Sequence, residues 1–185
     1  LAAGMNFVSY WYSDAIVLKM YNAQELSESD DPQLFRIVRK LSQQADVPMP
    51  KVCIIPQDVP NAFATGRDPE HAVVAVTQGI RRMLNERELE GVLAHEMSHV
   101  ENRDMLVSAV AATMAGALMI LGRLAMLANI FGGRRRGGPG MIIVAIVGVV
   151  AALLIKAAIS RSREYQADED AAKLTGNPDG LASAL

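Results

Sequence analysis

The sequence lacks the cysteine pairs of a disulfide-stabilised protein and the net positive charge typical of a nucleic-acid-binding protein. Its 185 residues include one cysteine, Cys53, so no disulfide can form within the chain. The net charge at neutral pH is −2, so no nucleic-acid-binding surface is expected. Histidine is also scarce: the chain has three, and two of them lie four residues apart. Metal or proton chemistry in this chain therefore depends first on that pair.

The histidine pair belongs to the motif His95-Glu96-Met97-Ser98-His99, in a segment with the pattern of a capped amphipathic helix. Asn85 and Glu88 have the spacing of a capping box. On a helix the two imidazoles lie on one face and can bind one metal ion, with Glu96 beside them as a proton acceptor. Gly91 weakens a helix, so it predicts space for a ligand or for a second element. The apolar residues follow the spacing of a buried stripe: Leu89, Val92, Leu93, Met97 and Val100.

A catalytic zinc needs a third protein ligand and leaves its fourth position to water. Glu101 and Asp104 are excluded as this ligand, because we assign them to the histidine helix itself. There they lie too close to the histidines along the chain to bend back to the same metal ion. Glu164 is the best choice, since Asp168 lies one turn further along its predicted helix and can accept the free N–H of a ligand histidine. The alternative for Asp168 is an ordinary surface acid that pairs with Arg161 or Lys173. The other acidic residues of this segment are predicted to be solvated: Glu169 and Asp170.

The remaining pattern predicts a mostly helical α+β fold with a small three-stranded sheet. Asp31 caps a helix that begins at Pro32, after a polar linker over 22–31. His71 is expected to be an exposed histidine in the turn between the last two strands, which pair in an antiparallel manner. The predicted strands cover residues 52–55, 61–65 and 72–77.

Two segments without charge, 105–122 and 137–155, are long enough to span a bilayer. A basic glycine-rich loop joins them, so residues 105–159 predict a transmembrane helical hairpin inserted between the two ligand motifs. Two buried helices of a soluble bundle are the alternative. The chain begins in an apolar-aromatic run, and we expect residues 1–20 to be the end of a truncated N-terminal membrane or interfacial helix, or else a soluble amphipathic helix.

The combined motifs have a family resemblance. His95-Glu96-x-x-His99, an apolar hairpin, and then Ser160-Arg161-Ser162-Arg163-Glu164-Tyr165-x-Ala167-Asp168 resemble the HtpX-like membrane zinc metalloproteases. These belong to the gluzincin superfamily, together with the CaaX prenyl-protein endopeptidases. The segment Pro60-Asn61-Ala62-Phe63-Ala64 is similar to the edge-strand motif of the family. The resemblance covers nearly the whole chain.

The resemblance implies a zincin-type metalloprotease domain over 21–104 and 160–185. It implies one zinc ion bound by His95, His99 and Glu164, with Glu96 as general base and Asp168 supporting a ligand. Substrate contact is implied for a second group: Asn61, Ala62, Phe63 and Ala64.

The family works in the bacterial inner membrane with its catalytic domain in the cytoplasm. The resemblance therefore implies a stress-response protease that contacts lipid and degrades misfolded or damaged membrane proteins. One alternative is an intramembrane protease of the site-two type, whose H-E-x-x-H motif lies inside a membrane span. The charged residues around the motif of this chain disfavour it. The other alternative is a non-catalytic zinc-stabilised membrane scaffold or chaperone, whose closed site would need Cys53 or His71 as fourth ligand.

Overall fold

The computed structural model describes residues 11–131 and 139–184, and the fold within these ranges is mainly helical. Most of the N-terminal run and most of the basic loop between the apolar segments lie outside the described residues. The described elements, in chain order, are α1 Ser13–Met20, β1 Gln24–Glu25, α2 Pro32–Gln44, β2 Lys51–Ile55, β3 Ala62–Thr65, β4 Val73–Thr77, α3 Gln78–Met83, α4 Glu86–Glu101, α5 Asp104–Phe131, α6 Pro139–Thr175 and α7 Pro178–Ala184.

The described strands form one mixed sheet in the order β1-β2-β4-β3. As predicted, β3 and β4 are antiparallel, and β2 lies parallel to β4 on its other side. The prediction of three strands is wrong by one, because β1 pairs Gln24 with Ile54 and Glu25 with Cys53. These two exposed residues lie in the segment predicted as a linker. Their sequence has no apolar alternation, so only the pairing with β2 defines them as a strand.

The sheet has an apolar cluster on each face. On one face, alternate residues of β2 and β4 pack against the apolar stripes of α2 and α4. On the other face, Cys53 and its neighbours pack with Leu18, Tyr21 and Phe63. The helix stripes are fully or nearly fully buried: Leu34, Ile37, Val38 and Leu41 on α2, and Leu89, Leu93 and Met97 on α4. The sheet thereby holds α4, the histidine helix, against one of its faces.

Asp31 fixes the start of α2 and joins it to α3. Its carboxylate accepts the Leu34 N–H at 3.0 Å, as the predicted helix cap. The Arg81 guanidinium donates to the same carboxylate at 2.7 and 3.0 Å. These hydrogen bonds from Arg81 hold the pKa of Asp31 below its ordinary value.

Gly91 allows α7 to approach the histidine helix. A Cβ at this position would lie 2.5 Å from the Leu181 nitrogen and 2.8 Å from the Gly180 carbonyl carbon. At Gly180, a Cβ would lie 2.7 Å from the Arg87 carbonyl oxygen. The sequence predicted that Gly91 leaves space for a ligand or for a second element, and the structure places a second element, α7, in that space.

The first residues of α5 pack against the middle of α6, and the two helices run in opposite directions. Leu106 and Val110 share an apolar groove with Ile155 and Ile159, whereas Gly122 lies beside Val149 further along. Among the described residues, one helical stretch, Asp104–Leu124, is long and apolar enough to cross a membrane, and none of it is buried. The transmembrane hairpin over 105–159 stays a prediction.

We expect Asp31→Ala to lower the free energy of unfolding by about 2 kcal/mol at pH 7, because it removes a helix cap and a charged hydrogen-bonded pair. The folded-state pKa of Asp31 is depressed, so this contribution is present above its unfolded pKa of about 4 and is lost as the pH falls through the lower folded value. Urea unfolding in detergent micelles, from pH 7 to pH 3, measures both effects. Asp58→Ala is the control, because Asp58 pairs with Arg82 on the exposed surface and should matter little. Equal losses in the two variants would contradict this role of Asp31.

We expect Gly91→Ala to lower the thermal unfolding midpoint. In an open helix this change stabilises by about 1 kcal/mol, but here the methyl group meets backbone atoms of α7. Gly116→Ala in α5 is the matched control, since nothing lies within 4 Å of a Cβ there. If both alanine variants raise the midpoint, α7 does not pack closely on α4.

Candidate metal centre

The helix α4 carries the histidine pair as its sequence predicts. Asn85 accepts the N–H groups of Arg87 and Glu88 at 3.0 and 3.1 Å, and Glu88 accepts the Asn85 N–H at 2.9 Å, which completes the capping box. The centroids of the His95 and His99 rings lie 5.0 Å apart, with the ring planes nearly perpendicular. One face of α4 thus presents both imidazoles to α6.

Glu164 of α6 faces both imidazoles. Its Oε2 atom lies 3.5 Å from His95 Nε2 and 4.0 Å from His99 Nε2. Ligands in a tetrahedral zinc site, each at about 2.1 Å, are separated by about 3.4 Å. The two distances from Glu164 are close to this value, and the three ligand atoms all lie within 4.8 Å of one another. The Glu164 side chain is 59% exposed, which leaves the site open to water.

A carboxylate lies beside the far nitrogen of each imidazole. His99 Nδ1 is 2.6 Å from Asp104 Oδ2. In the neutral tautomer in which Nδ1–H of His99 donates to this carboxylate, Nε2 keeps its lone pair on the Glu164 side. Asp168 Oδ1 lies 2.9 Å from His95 Nδ1, but the angle between the groups does not allow a hydrogen bond. The buried Nδ1 atom of His95 therefore has no hydrogen-bond partner among the described residues. The donor set fits a metal ion bound through the two Nε2 atoms.

Asp104 was excluded as the third ligand because it was assigned to the histidine helix, and that assignment is wrong. Helix α4 ends at Glu101, and Arg103 adopts a left-handed conformation with φ of 53° before α5 begins at Asp104. This break turns Asp104 back towards His99. It contributes a hydrogen bond to His99 and is not one of the three converging ligand candidates. A helix-stop signal at 102–103 would have revealed it, but Asn102 and Arg103 are both compatible with a continuing helix.

The side chain of Glu96 extends from α4 towards the sheet. Its Oε2 atom is 3.4 Å from the backbone nitrogen of Ala64, which donates to it. Burial raises the pKa of Glu96 above its ordinary value, while the adjacent histidines and the Ala64 N–H act in the opposite direction. Glu96 is thereby joined directly to the edge strand β3.

The structure divides the four residues implied to contact substrate. Ala62 and Ala64 belong to the apolar cluster on the α4 side of the sheet. Phe63 faces the other side, where its ring packs on Tyr21 with centroids 5.5 Å apart. The Asn61 backbone pairs with Thr77. A cleft of about 210 Å³ runs from this strand to the metal centre, with lining residues that include Ala64, Gly66, His99, Arg163 and Glu164.

Cys53 and His71 do not join the metal centre. Cys53 is fully buried on the opposite face of the sheet, where burial raises the pKa of its thiol to about 11. His71 lies in a short 3-10 turn and contacts Asp68 and Arg67, as expected for an exposed turn histidine. Within the described residues, three side chains therefore converge at the site and no fourth His or Cys closes it.

Two histidines of an H-E-x-x-H helix with a distant carboxylate form the ligand set of zinc-dependent hydrolases. Residues 28–185 match Peptidase family M48, and the chain belongs to this family of metalloproteases. Family membership implies a bound metal ion, typically zinc.

Curated relatives match the chain over nearly its whole length. It is 56% identical over 191 residues to a protein named Protease HtpX homolog from Desulforapulum autotrophicum, covering all of this chain and 62% of that protein. It is 57% identical to the protein of the same name from Salinibacter ruber, with 66% of that protein covered, and 58% identical to that from Thermococcus kodakarensis, with 97% of this chain and 64% of that protein covered. The chain thus spans about two thirds of the length of these relatives.

The fold is similar to a solved structure. The crystal structure of S. mikatae Ste24p matches 97% of this chain and 46% of its own chain, with a TM-score of 0.56 and 18% sequence identity. At this identity the match shows a common fold.

We expect the purified chain to hold about one zinc ion, and Glu164→Ala to hold sharply less, because two histidines alone bind the metal weakly. Metal analysis after dialysis against a weak chelator measures the difference. Glu169→Ala is the matched control on the same helix, where Glu169 pairs with Lys173 on the surface. Equal zinc in Glu164→Ala and the unchanged chain would remove Glu164 from the ligand set.

Proposed function

We propose that this chain contains the catalytic part of a membrane-bound zinc endopeptidase. The proposal depends on one observation: His95, His99 and Glu164 converge beside Glu96, which is itself joined to the edge strand of the sheet. In this proposal, residues 21–104 and 160–185 form the peptidase domain, and 105–159 form a transmembrane hairpin. Residues 1–20 then belong to a membrane or interfacial helix.

His95, His99 and Glu164 would hold the zinc ion, and Asp104 would orient the His99 imidazole through its hydrogen bond. Asp168, 2.9 Å from His95 Nδ1, would do the same for His95 once the ring turns to donate to it. A zinc ion held here would supply Lewis acidity, which makes water more acidic and polarises a carbonyl group. Glu96 acts as general base: its carboxylate accepts a proton from the attacking water and then donates it to the nitrogen of the leaving amine. Its burial favours the protonated form needed for the second step.

The substrate peptide would bind in an extended form beside β3. This strand is at the edge of the described sheet, and the antiparallel pairing turns the N–H and C=O groups of Ala62 and Ala64 away from β4. A peptide added here would be held by main-chain hydrogen bonds to Ala62 and to the Ala64 C=O, while the Ala64 N–H donates to Glu96; the alanine side chains leave room for it. This mode gives little sequence preference, which suits the hydrolysis of unfolded segments.

The membrane part of the proposal is supported by exposed apolar side chains on α5 and α6. Met114, Leu124 and Leu154 are each more than half exposed, which is costly in water and favourable in lipid. Glu164 lies nine residues beyond Ile155, the last residue of the second predicted span, or about 14 Å along a helix. The site would therefore lie near the membrane surface and outside the bilayer.

A site in that position would suit substrates that are themselves in the membrane. We propose that these are misfolded or damaged membrane proteins, and that the chain acts in quality control and stress response. The proposed location is the bacterial inner membrane, with the peptidase domain in the cytoplasm.

We expect Glu96→Gln to abolish cleavage of a labelled unfolded protein, such as casein, in detergent micelles, with a loss of at least 100-fold, because the amide cannot accept the proton. Zinc content should stay near that of the unchanged chain. Glu90→Gln is the matched control on the same helix, where Glu90 pairs with Lys40 and should leave cleavage intact. If the Glu96→Gln chain cleaves normally, Glu96 is not the general base. If the zinc-loaded unchanged chain cleaves nothing, a zinc-stabilised scaffold is the better account.

A further inference from the structure

We infer that Asp104 and Arg163 form a positioning pair that sets the metal affinity of the site at the point where α5 leaves the catalytic domain. The inference rests on the proposed function, since it takes His99 and Glu164 as metal ligands. Neither residue converges with the ligand candidates, so both would act through their neighbours.

Asp104 acts on His99. The distance of 2.6 Å between His99 Nδ1 and Asp104 Oδ2 is that of a short charge-assisted hydrogen bond, and the Asp104 side chain is 13% exposed. This bond fixes both the tautomer and the plane of the ring, so that Nε2 faces Glu164. It also makes the imidazole a better donor to a cation.

Arg163 acts on Asp104. Its Nη1 atom donates to the Asp104 carbonyl oxygen and to Ser108 Oγ, each at 2.7 Å, and lies 3.8 Å from Asp104 Oδ1. The same Nη1 atom makes all three contacts, while the buried Nε atom has no hydrogen-bond partner in the described structure. One guanidinium nitrogen therefore holds the first turn of α5 in place.

The pair connects the two halves of the metal centre. Arg163 directly precedes Glu164 on α6, and Asp104 is the first residue of α5. If α5 moves relative to α6, the Asp104 carboxylate moves relative to His99, and the imidazole loses its support. The spacing of the two long helices thus determines how well the site binds metal.

The test is zinc affinity of the full chain in detergent micelles, measured by competition with a chromophoric chelator. We expect Asp104→Ala to weaken zinc binding by about 10- to 100-fold, and the isosteric Asp104→Asn to weaken it less, since the amide oxygen still accepts but carries no charge. Arg163→Met should weaken binding several-fold. Arg163→Lys should restore it, because a single ammonium can make the three contacts of Nη1. The double change of Asp104→Ala with Arg163→Met should be no weaker than Asp104→Ala alone.

Asp170→Ala is the matched control. Asp170 accepts a hydrogen bond from Asn102 at 3.1 Å, so it also packs α6 onto the end of α4, but it does not touch a ligand. Its loss should leave zinc affinity unchanged. A merely structural role for Asp104 predicts parallel losses of zinc affinity and metal-free stability in all of these variants, and that result would overturn the inference.

The outcomes separate this inference from the proposed function. Zinc bound by the unchanged chain and lost in His95→Ala supports the metal centre by itself. If Asp104→Asn and Asp104→Ala then bind zinc within about twofold of the unchanged chain, the positioning pair is wrong and the metal centre stands. If the unchanged chain binds no zinc, both proposals fail.

Discussion

The packing of α6 against α4 is the contact on which the convergence of His95, His99 and Glu164 depends. Ala167 and Ala171 of α6 are 1% exposed, and their small side chains allow the two helices to approach closely. Glu164 and Asp168 lie on the same side of α6, one turn apart, and so face the histidines of α4. The close contact at these small residues therefore also determines where the Glu164 carboxylate lies relative to the imidazoles. A larger side chain at either alanine would separate Glu164 from the imidazoles.

The sheet gives the second constraint, because it determines where Glu96 lies. Helix α4 packs on one face through Leu89, Leu93 and Met97, which point away from the histidine side. Glu96 then projects towards the sheet edge, where it meets the Ala64 N–H. The residue that would move protons and the strand that would hold the substrate are consequently placed by the same helix–sheet contact.

Local patterns predicted the parts of the site that lie within single elements. Capping residues and the spacing of His95 and His99 were sufficient for α4, because these are properties of one helix. Asp104 could not be found in this way, since its position depends on the left-handed conformation of Arg103, for which the sequence gives no glycine or proline signal. Strand β1 was missed because its pairing is supplied by β2. The side on which Phe63 lies could have been predicted from the sequence. Because side chains alternate along a strand, the four consecutive residues 61–64 cannot all point into one cleft.

Helix α6 joins the apolar segment to the candidate metal centre. Helix α6 is continuous over Pro139–Thr175, about 55 Å, and has no internal proline at which it could kink. Such a helix transmits a tilt along its length, so the end that carries Glu164 cannot be positioned independently of the apolar end. The short connection at Asn102 and Arg103 ties α5 to α4 equally directly. An apolar insertion between the two motifs is therefore structurally part of the candidate site, because each of its ends lies within two helical turns of His99 or Glu164.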